Sequence, residues 1–405
     1  MSIENQQPQQ AGSRQLPQDH SEANDLLLDA DSDLTPRLSI VMPTLNEEEG
    51  ITDCVERIKR SIAHLGVPAE IIVSDSSTDR TPEIAEELGA IVVTPDEPGY
   101  GYAYRYAFER ARGEYIVIGD ADTTYDFEDI PRLLDHLQKE NADMVMGSRL
   151  SGEIKSGAMP ALHQYIGNPL LTKFLNTFYG AGVSDAHSGF RIIRRESLEA
   201  LDLKTNGMEF ASEMIMEAGA SDMKIVEVPI TYHEREGEAN LESFRDGWRH
   251  VRFMLENAPG YLFSVPGIVL SALGVLVMGL ATVGVAISGV TPGVHSMIAG
   301  SLLTIVGYQA ISLGVFAAVT SDPIQKPEDP ITTWALENIG LEYGAAAGVV
   351  LFGFGVAGAL VLVGQWAASG FSTLPFTTLS LASFTAIVIG LQTVFSSFFL
   401  SSVER

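Results

Sequence analysis

From Leu38 onward, short apolar runs alternate with longer segments of helical periodicity. The strand candidates are Leu38–Leu45, Ala69–Ser74, Ala90–Thr94, Tyr115–Gly119, Asp143–Gly147 and Lys224–Tyr232. Helical patterns occupy Ile51–Leu65, Pro82–Leu88, Tyr102–Arg112 and Ile130–Glu140, and later Tyr165–Tyr179 and Met208–Ala218. The alternation predicts an α/β domain whose mostly parallel sheet carries helices on both faces. Ligands of such sheets sit outside the carboxyl ends of the strands, so the polar residues that follow each strand are the ones to watch.

The pattern changes abruptly after Glu256. Residues 257–321 and 343–403 contain no Asp, Glu, Lys or Arg. Each stretch is far longer than the ~20 residues that one spanning helix needs. Gly-bearing polar breaks at Ser288–Gly293 and Ala368–Thr373 divide them into four predicted spans at 262–287, 297–320, 343–367 and 375–400. Before the first span, Phe244, Trp248, Val251 and Leu255 repeat at helical spacing beside Arg245, Arg249 and Arg252. That combination predicts an interfacial helix, with a helix packed into the core as its rival. These arginines and Lys326 place the soluble domain, the 321–342 loop and the C-terminus on the cytoplasmic side of the cell membrane. The expected layout is a disordered acidic tail over 1–36, a catalytic domain over 37–241, a juxtamembrane helix over 242–260 and a membrane domain over 261–401.

Composition narrows the partners. The chain has 52 acidic and 25 basic residues, and no basic footprint for nucleic acid. Such a surface suits a halophilic archaeon, because strong salt screens the self-repulsion. The single cysteine, Cys54, excludes an intrachain disulfide and a cysteine metal cluster.

Four strand ends deliver chemistry to one edge: Pro43-Thr-Leu-Asn-Glu47, Asp75 through Thr81, Asp120-Ala-Asp122 and Gly147-Ser-Arg149. Asn46 and Asp79 also suit helix capping, and both readings stand. Asp120 and Asp122 repel one another at the end of an apolar strand, a cost that a divalent cation relieves. Neither a P-loop nor a dinucleotide fingerprint follows the first strand. On the helix near 208–218, Glu209, Glu213 and Glu217 share a face; Glu209 and Glu213 are candidates to face the site, and Glu217 reads as solvated.

The ordered set, extended by Asp185 through Ser188-Gly-Phe-Arg191 and by Glu227-Val-Pro-Ile, resembles membrane-bound family 2 glycosyltransferases of the dolichyl-phosphate and polyprenyl-phosphate sugar synthase group. The resemblance covers residues 38–260, and the general layout agrees beyond them. It implies a GT-A fold, a Rossmann-like nucleotide-sugar-binding domain. It also implies inverting transfer of a hexose from GDP-mannose or UDP-glucose to dolichyl phosphate, with another membrane glycolipid acceptor or a non-catalytic scaffold as the alternatives. Pro43, Glu47 and Asp75 would hold the nucleoside, and Asp120 and Asp122 the ribose and a Mg2+ or Mn2+ ion. Arg149 and Arg191 would face the diphosphate or the lipid phosphate, and Arg235 the acceptor phosphate. The chain departs from the family pattern at Thr124, where a Gln is usual near the metal, and at Ala239 and Asn240, where a hydroxyl and a cation are usual.

Overall fold

A computed structural model describes residues 20–236, 243–258, 260–284, 291–320, 324, 334, 341–372 and 378–403. The chain forms two compact units that divide at Val251/Arg252.

The first unit is built on a seven-stranded sheet. Its strands are β1 Leu38–Thr44, β2 Ala69–Asp75, β3 Ile91–Val93, β4 Tyr115–Ile118, β5 Met144–Ile154, β6 Arg191–Arg194 and β7 Ile225–Tyr232, in the order β3-β2-β1-β4-β6-β5-β7. Around it lie α1 His20–Leu26, α2 Ile51–Leu65, α3 Thr81–Glu87, α4 Tyr100–Phe108, α5 Ile130–Lys139, α6 Asn168–Tyr179, α7 Arg195–Glu199 and α8 Phe210–Ala220, and α9 Ser243–Glu256 runs across the division between the units. In α2 the spacing of Ile51, Val55, Ile58 and Ile62 puts all four on one face. That face packs on Leu38, Ile40 and Met42 of β1 in a fully buried cluster. Each such side chain contributes roughly 2 kcal/mol by leaving water.

β1 to β4 follow the expected parallel pattern, with β1 between β2 and β4. The surprise is β6, which enters antiparallel between β4 and β5 and is absent from the strands that the apolar runs predict. β5 also runs past its expected end at Gly147, and resumes pairing with β7 at Glu153 after an irregularity at Ser148.

The expectation of a disordered tail over 1–36 fails for its last part. Ala23 and Leu28 are buried, and the Leu28 amide donates to the Ala69 carbonyl at 2.8 Å. Arg112 then fixes the following turn, donating to the Asp29 carbonyl at 2.6 Å and the Ser32 carbonyl at 2.9 Å. The apolar run Leu26-Leu27-Leu28 supplies the driving force that the polar composition around it concealed.

The second unit contains four apolar helical segments, Gly260–Val283, Val294–Thr320, Glu342–Ala368 and Thr378–Ser402, each long enough to cross a bilayer. The corresponding helices are α10 Val265–Val283, α11 Val294–Thr320, α12 Leu341–Ala368 and α13 Thr378–Val403. All four expected spans are present. Small residues let the backbones approach, as lipid-embedded packing requires. A Cβ on Gly267 of α10 would lie 2.7 Å from the Gly307 carbonyl of α11, and one on Gly348 of α12 would lie 2.8 Å from the Gly390 carbonyl of α13. α10 packs on α11, α11 on α13 and α13 on α12, so the central pair is α11 and α13.

Candidate active site

The β1 and β2 ends are laced together before any ligand arrives. Thr44 Oγ1 donates to Asp75 Oδ1 at 2.7 Å, and Ser77 Oγ donates to the same oxygen at 2.6 Å. Asn46 takes a left-handed conformation (φ 59°), and its Oδ1 accepts from the Thr78 amide at 2.8 Å. Asp79 accepts from the Thr81 amide and hydroxyl at 3.0 and 2.6 Å. Asn46 and Asp79 are therefore loop-shaping residues, each satisfying backbone donors as short polar side chains do. Pro43 and Asp75 stand at paired positions at the strand ends or next to them, with Pro43 opposite Ser74 and Thr44 opposite Asp75.

After β4 the chain turns sharply through Asp120-Ala121-Asp122, with Thr123 at φ 64°. Asp120 Oδ1 accepts from the Tyr100 hydroxyl at 2.8 Å. Asp122 Oδ1 accepts from Thr124 Oγ1 at 2.6 Å and from the Thr124 amide at 3.2 Å. Thr124, where the family pattern has Gln, thus orients Asp122. Two glycines let neighbouring backbone close on this turn. A Cβ at Gly50, next to the first residue of α2, would lie 2.8 Å from the Ala121 carbonyl, and one at Gly189 would lie 2.9 Å from Asp120 Oδ2.

Glu47 reaches the same place from the β1 end, and Arg235 joins it from the segment after β7. Arg235 Nη2 pairs with Glu47 Oε1, and Nη1 lies 3.4 Å from Asp122 Oδ2. Burial pushes the Glu47 carboxyl up to about 7, with Asp122 and Asp120 adding to the rise and Arg235 opposing it. Burial likewise raises Asp120 to about 6, helped by the negative charge of Asp122. Three carboxylates and one guanidinium are thus drawn together at the carboxyl edge of the sheet. Among the described residues no three His, Cys, Asp or Glu side chains are spaced to hold a metal by themselves.

The other two arginines behave differently. Arg149 is buried, donates from Nε and Nη2 to Asp185 at 2.8 Å each, and lies 5.2 Å over the Tyr232 ring. Asp185 is in turn fixed by Glu227, which accepts from the Ser184 and Asp185 amides at 2.6 and 3.0 Å. Arg191 corrects the sequence expectation. At 0% exposure it donates to the carbonyls of Ser188, Ala186 and Ala211, so it braces the 184–190 loop against α8. The antiparallel course of β6 sets Arg191, its first residue, opposite Ile118, the last residue of β4, and opposite Met146 of β5.

Of the acids on α8, Glu213 is buried and accepts from the Lys204 and Thr205 amides, so it caps a loop and does not face the site. Glu209 lies 3.5 Å from Arg249. On α9, Trp248 is exposed, Arg252 pairs with Glu256 at 2.7 Å, and His250 meets Ser212 of α8 at 3.0 Å. The side chains of Phe244 and Arg245, together with Ala239, Asn240 and Lys326, lie outside the described residues. A hollow of about 690 Å3 between Arg132, Lys155, Ile230 and His233 shares no residue with the acidic cluster.

Sequence reasoning missed three things. Tyr100 gave no motif. Gly50 and Gly189 serve by what they lack. The third is an apolar stripe at Leu162, Tyr165, Ile166 and Leu170, 58–72% exposed, leading into α6. Its signal was available: residues 156–172 carry no charge in an otherwise acidic domain.

Comparison with known proteins identifies the family. Residues 39–202 match the profile of glycosyl transferase family 2, and residues 315–404 match that of the family 2 C-terminal transmembrane region. The low-salt glycan biosynthesis hexosyltransferase Agl6 of Haloferax volcanii is 58% identical over 384 residues, covering 95% of this chain and 93% of that protein. The dolichyl-phosphate hexose transferase of the same organism is 35% identical over 210 residues, covering 52% of this chain and 89% of the relative. Glucosyl-3-phosphoglycerate synthase of Mycobacterium tuberculosis, solved with Mn2+ and UDP, superposes with a TM-score of 0.45 at 24% identity, over 54% of this chain and 78% of that one. With a GT-A sheet, acids gathered at its carboxyl edge and four helices long and apolar enough to cross a membrane later in the sequence, the chain belongs to glycosyltransferase family 2, as a multi-pass membrane protein.

Proposed function

We propose that this protein transfers a hexose from a nucleotide sugar to dolichyl phosphate, with inversion, on the cytoplasmic face of the membrane. The observation that carries the reading is the Glu47, Asp120, Asp122 and Arg235 cluster, set at the carboxyl edge of a domain whose chain continues into four spans. The relatives named hexosyltransferase and dolichyl-phosphate hexose transferase support the same chemistry. So does the exposed stripe from Leu162 to Leu170, an apolar surface suited to a lipid interface.

A divalent ion fits the residues present. Asp120 and Glu47 are acids whose protonated forms are favoured by burial and crowding, and among the described residues the positive group paired with Glu47 and Asp122 is the side chain of Arg235. Asp120 and Asp122 would hold Mg2+ or Mn2+. Either ion takes one or two protein carboxylates and completes its shell with substrate phosphate and water. When bound, it supplies positive charge to the departing diphosphate.

The chain's own residues do the rest. In this reading Pro43, Glu47 and Asp75 bind the nucleoside, and the Tyr100 and Thr124 hydroxyls fix the two acids. Arg149, locked by Asp185, adds positive field near Asp120, and Arg235 offers a guanidinium to a phosphate. An oxygen of the lipid phosphate attacks the anomeric carbon from the face opposite the nucleotide. The bond to the diphosphate oxygen breaks and its electron pair leaves with the nucleoside diphosphate. The nucleophile is already an anion near neutral pH, so no strong general base is required. The test is to incubate membranes holding the full chain with dolichyl phosphate, Mg2+ or Mn2+, and labelled UDP-glucose or GDP-mannose. A dolichyl-phosphate hexose of inverted anomeric configuration is expected from one donor. Sugar transfer to a glycolipid, or to no lipid at all, would overturn the reading.

A further inference from the structure

We propose that α11 and α13 form the interface of a homodimer whose two-fold axis runs along the membrane normal. The reason lies in polar groups at the wrong depth. Between these two helices is a crevice of about 450 Å3, walled by Gln309, Ser312 and Phe316 on one side and Gln392, Ser396 and Phe399 on the other. Gln309 is exposed, and Gln392 Oε1 is buried without a hydrogen-bond partner.

Both amides lie near the bilayer centre. Gln309 is two residues past the midpoint of Val294–Thr320, and Gln392 two past the midpoint of Thr378–Ser402. At ~1.5 Å per residue that is roughly 3 Å along each helix. The helices run parallel, as the ties Ser301–Thr385 (2.6 Å) and Tyr308–Thr393 (2.7 Å) show, so the two amides share one depth.

Hydrocarbon cannot satisfy an amide, and an unpaired polar group there is costly. Lipid head groups lie about 15 Å from the midplane, at the edge of a ~30 Å core. A partner must therefore present polar groups at this same depth. A second copy related by a two-fold axis along the normal does so by construction, because each residue meets its equivalents at its own level. An amide carries both donor and acceptor, so the surface is complementary to itself: the exposed Gln309 amide nitrogen of one copy donates to Gln392 Oε1 of the other, whose side chain turns out of its own helix pair to accept it. The flanking Phe316 and Phe399 supply the packing.

The test uses the full chain in lipid vesicles, with self-association read by energy transfer between labelled copies. The double variant Gln309→Leu/Gln392→Leu should weaken dimerisation about ten- to a hundredfold. Because substituted helices can misassemble, a second measurement keeps the amides' neighbours intact. Gln309→Cys should cross-link between copies under oxidant at least tenfold faster than Val361→Cys, an exposed position on α12; Cys54 is buried and stays out of the reaction. Equal cross-linking at the two positions would overturn the proposal. So would a monomer at every protein density, including one with an isoprenoid or other lipid held in the crevice, and so would a double variant that dimerises like the parent.

Discussion

The two units solve the problem of polar groups in opposite ways. In the catalytic unit nearly every functional side chain is held by another: Asp75 by Thr44 and Ser77, Asp120 by Tyr100, Asp122 by Thr124, Arg149 by Asp185. In the membrane unit the described spans carry one formally charged side chain, Glu342 at the start of the third, and glycines at Gly267, Gly274, Gly300 and Gly307 bring backbones into contact. The first unit is specified by directional bonds, and so by particular residue pairs. The second is specified by shape, so a wrong volume does more harm there than a wrong polarity.

That contrast can be broken by experiment, and the largest effect belongs to the acids. Asp122→Asn should lower transfer about a thousandfold, on the scale of removing a principal electrostatic or metal-holding group, while membrane insertion stays normal. Near-normal turnover with unchanged divalent-ion dependence would place the metal elsewhere. In the membrane unit, Gly274→Leu should cost about 2–3 kcal/mol through overpacking, because a Cβ there already lies 2.5 Å from the Gly300 carbonyl. Thermal unfolding in detergent reads this directly, and an unchanged midpoint would deny that the glycines set the packing.

Thr124→Val keeps the volume and removes one bond to Asp122, with an expected loss of about tenfold in kcat/KM. A pH profile comes next. Both Glu47, near 7, and Asp120, near 6, lie above their ordinary range, so activity should fall several-fold as the pH drops from 8 to 6 and these acids take protons. The same shifts have the opposite sign for stability without metal. The folded state binds more protons than the unfolded one between the ordinary and raised values, so stability falls as pH rises through that window. Saturating divalent ion should flatten the trend, and a flat profile without it would remove these two acids from the account. Arg252→Gln should change transfer less than twofold, since an exposed pair with Glu256 four residues on contributes little.

Much of this was readable in the sequence because its causes are local. Apolar runs ending in Asp75, Asp120 and Arg149 place these groups at one edge once the strands are parallel, and long uncharged stretches admit only membrane helices. Arg191 was misplaced because its neighbours come from β4 and β5, which no nearby residue announces. Tyr100 reaches Asp120 across twenty residues by way of the α4 start, where Gly99 takes φ 136°. Such partnerships depend on three-dimensional closure and leave no periodic trace. Leu26 to Leu28 failed for another reason, since three residues are too few to outweigh the polar tail around them.

The segment that those leucines anchor has a consequence for behaviour in solution. β3 is short and pairs only with Ile72 to Ser74, which leaves the beginning of β2 open. Leu27 and Leu28 lie against Ala69 and occupy that gap. In dilute buffer a strongly negative protein is kept apart from its copies by repulsion. At 1 M salt that repulsion reaches only about 3 Å, and an uncovered strand edge would pair with another molecule unopposed. The strap therefore guards against aggregation by steric means where charge no longer can, and truncating the chain at β1 would remove that guard while leaving the catalytic residues in place.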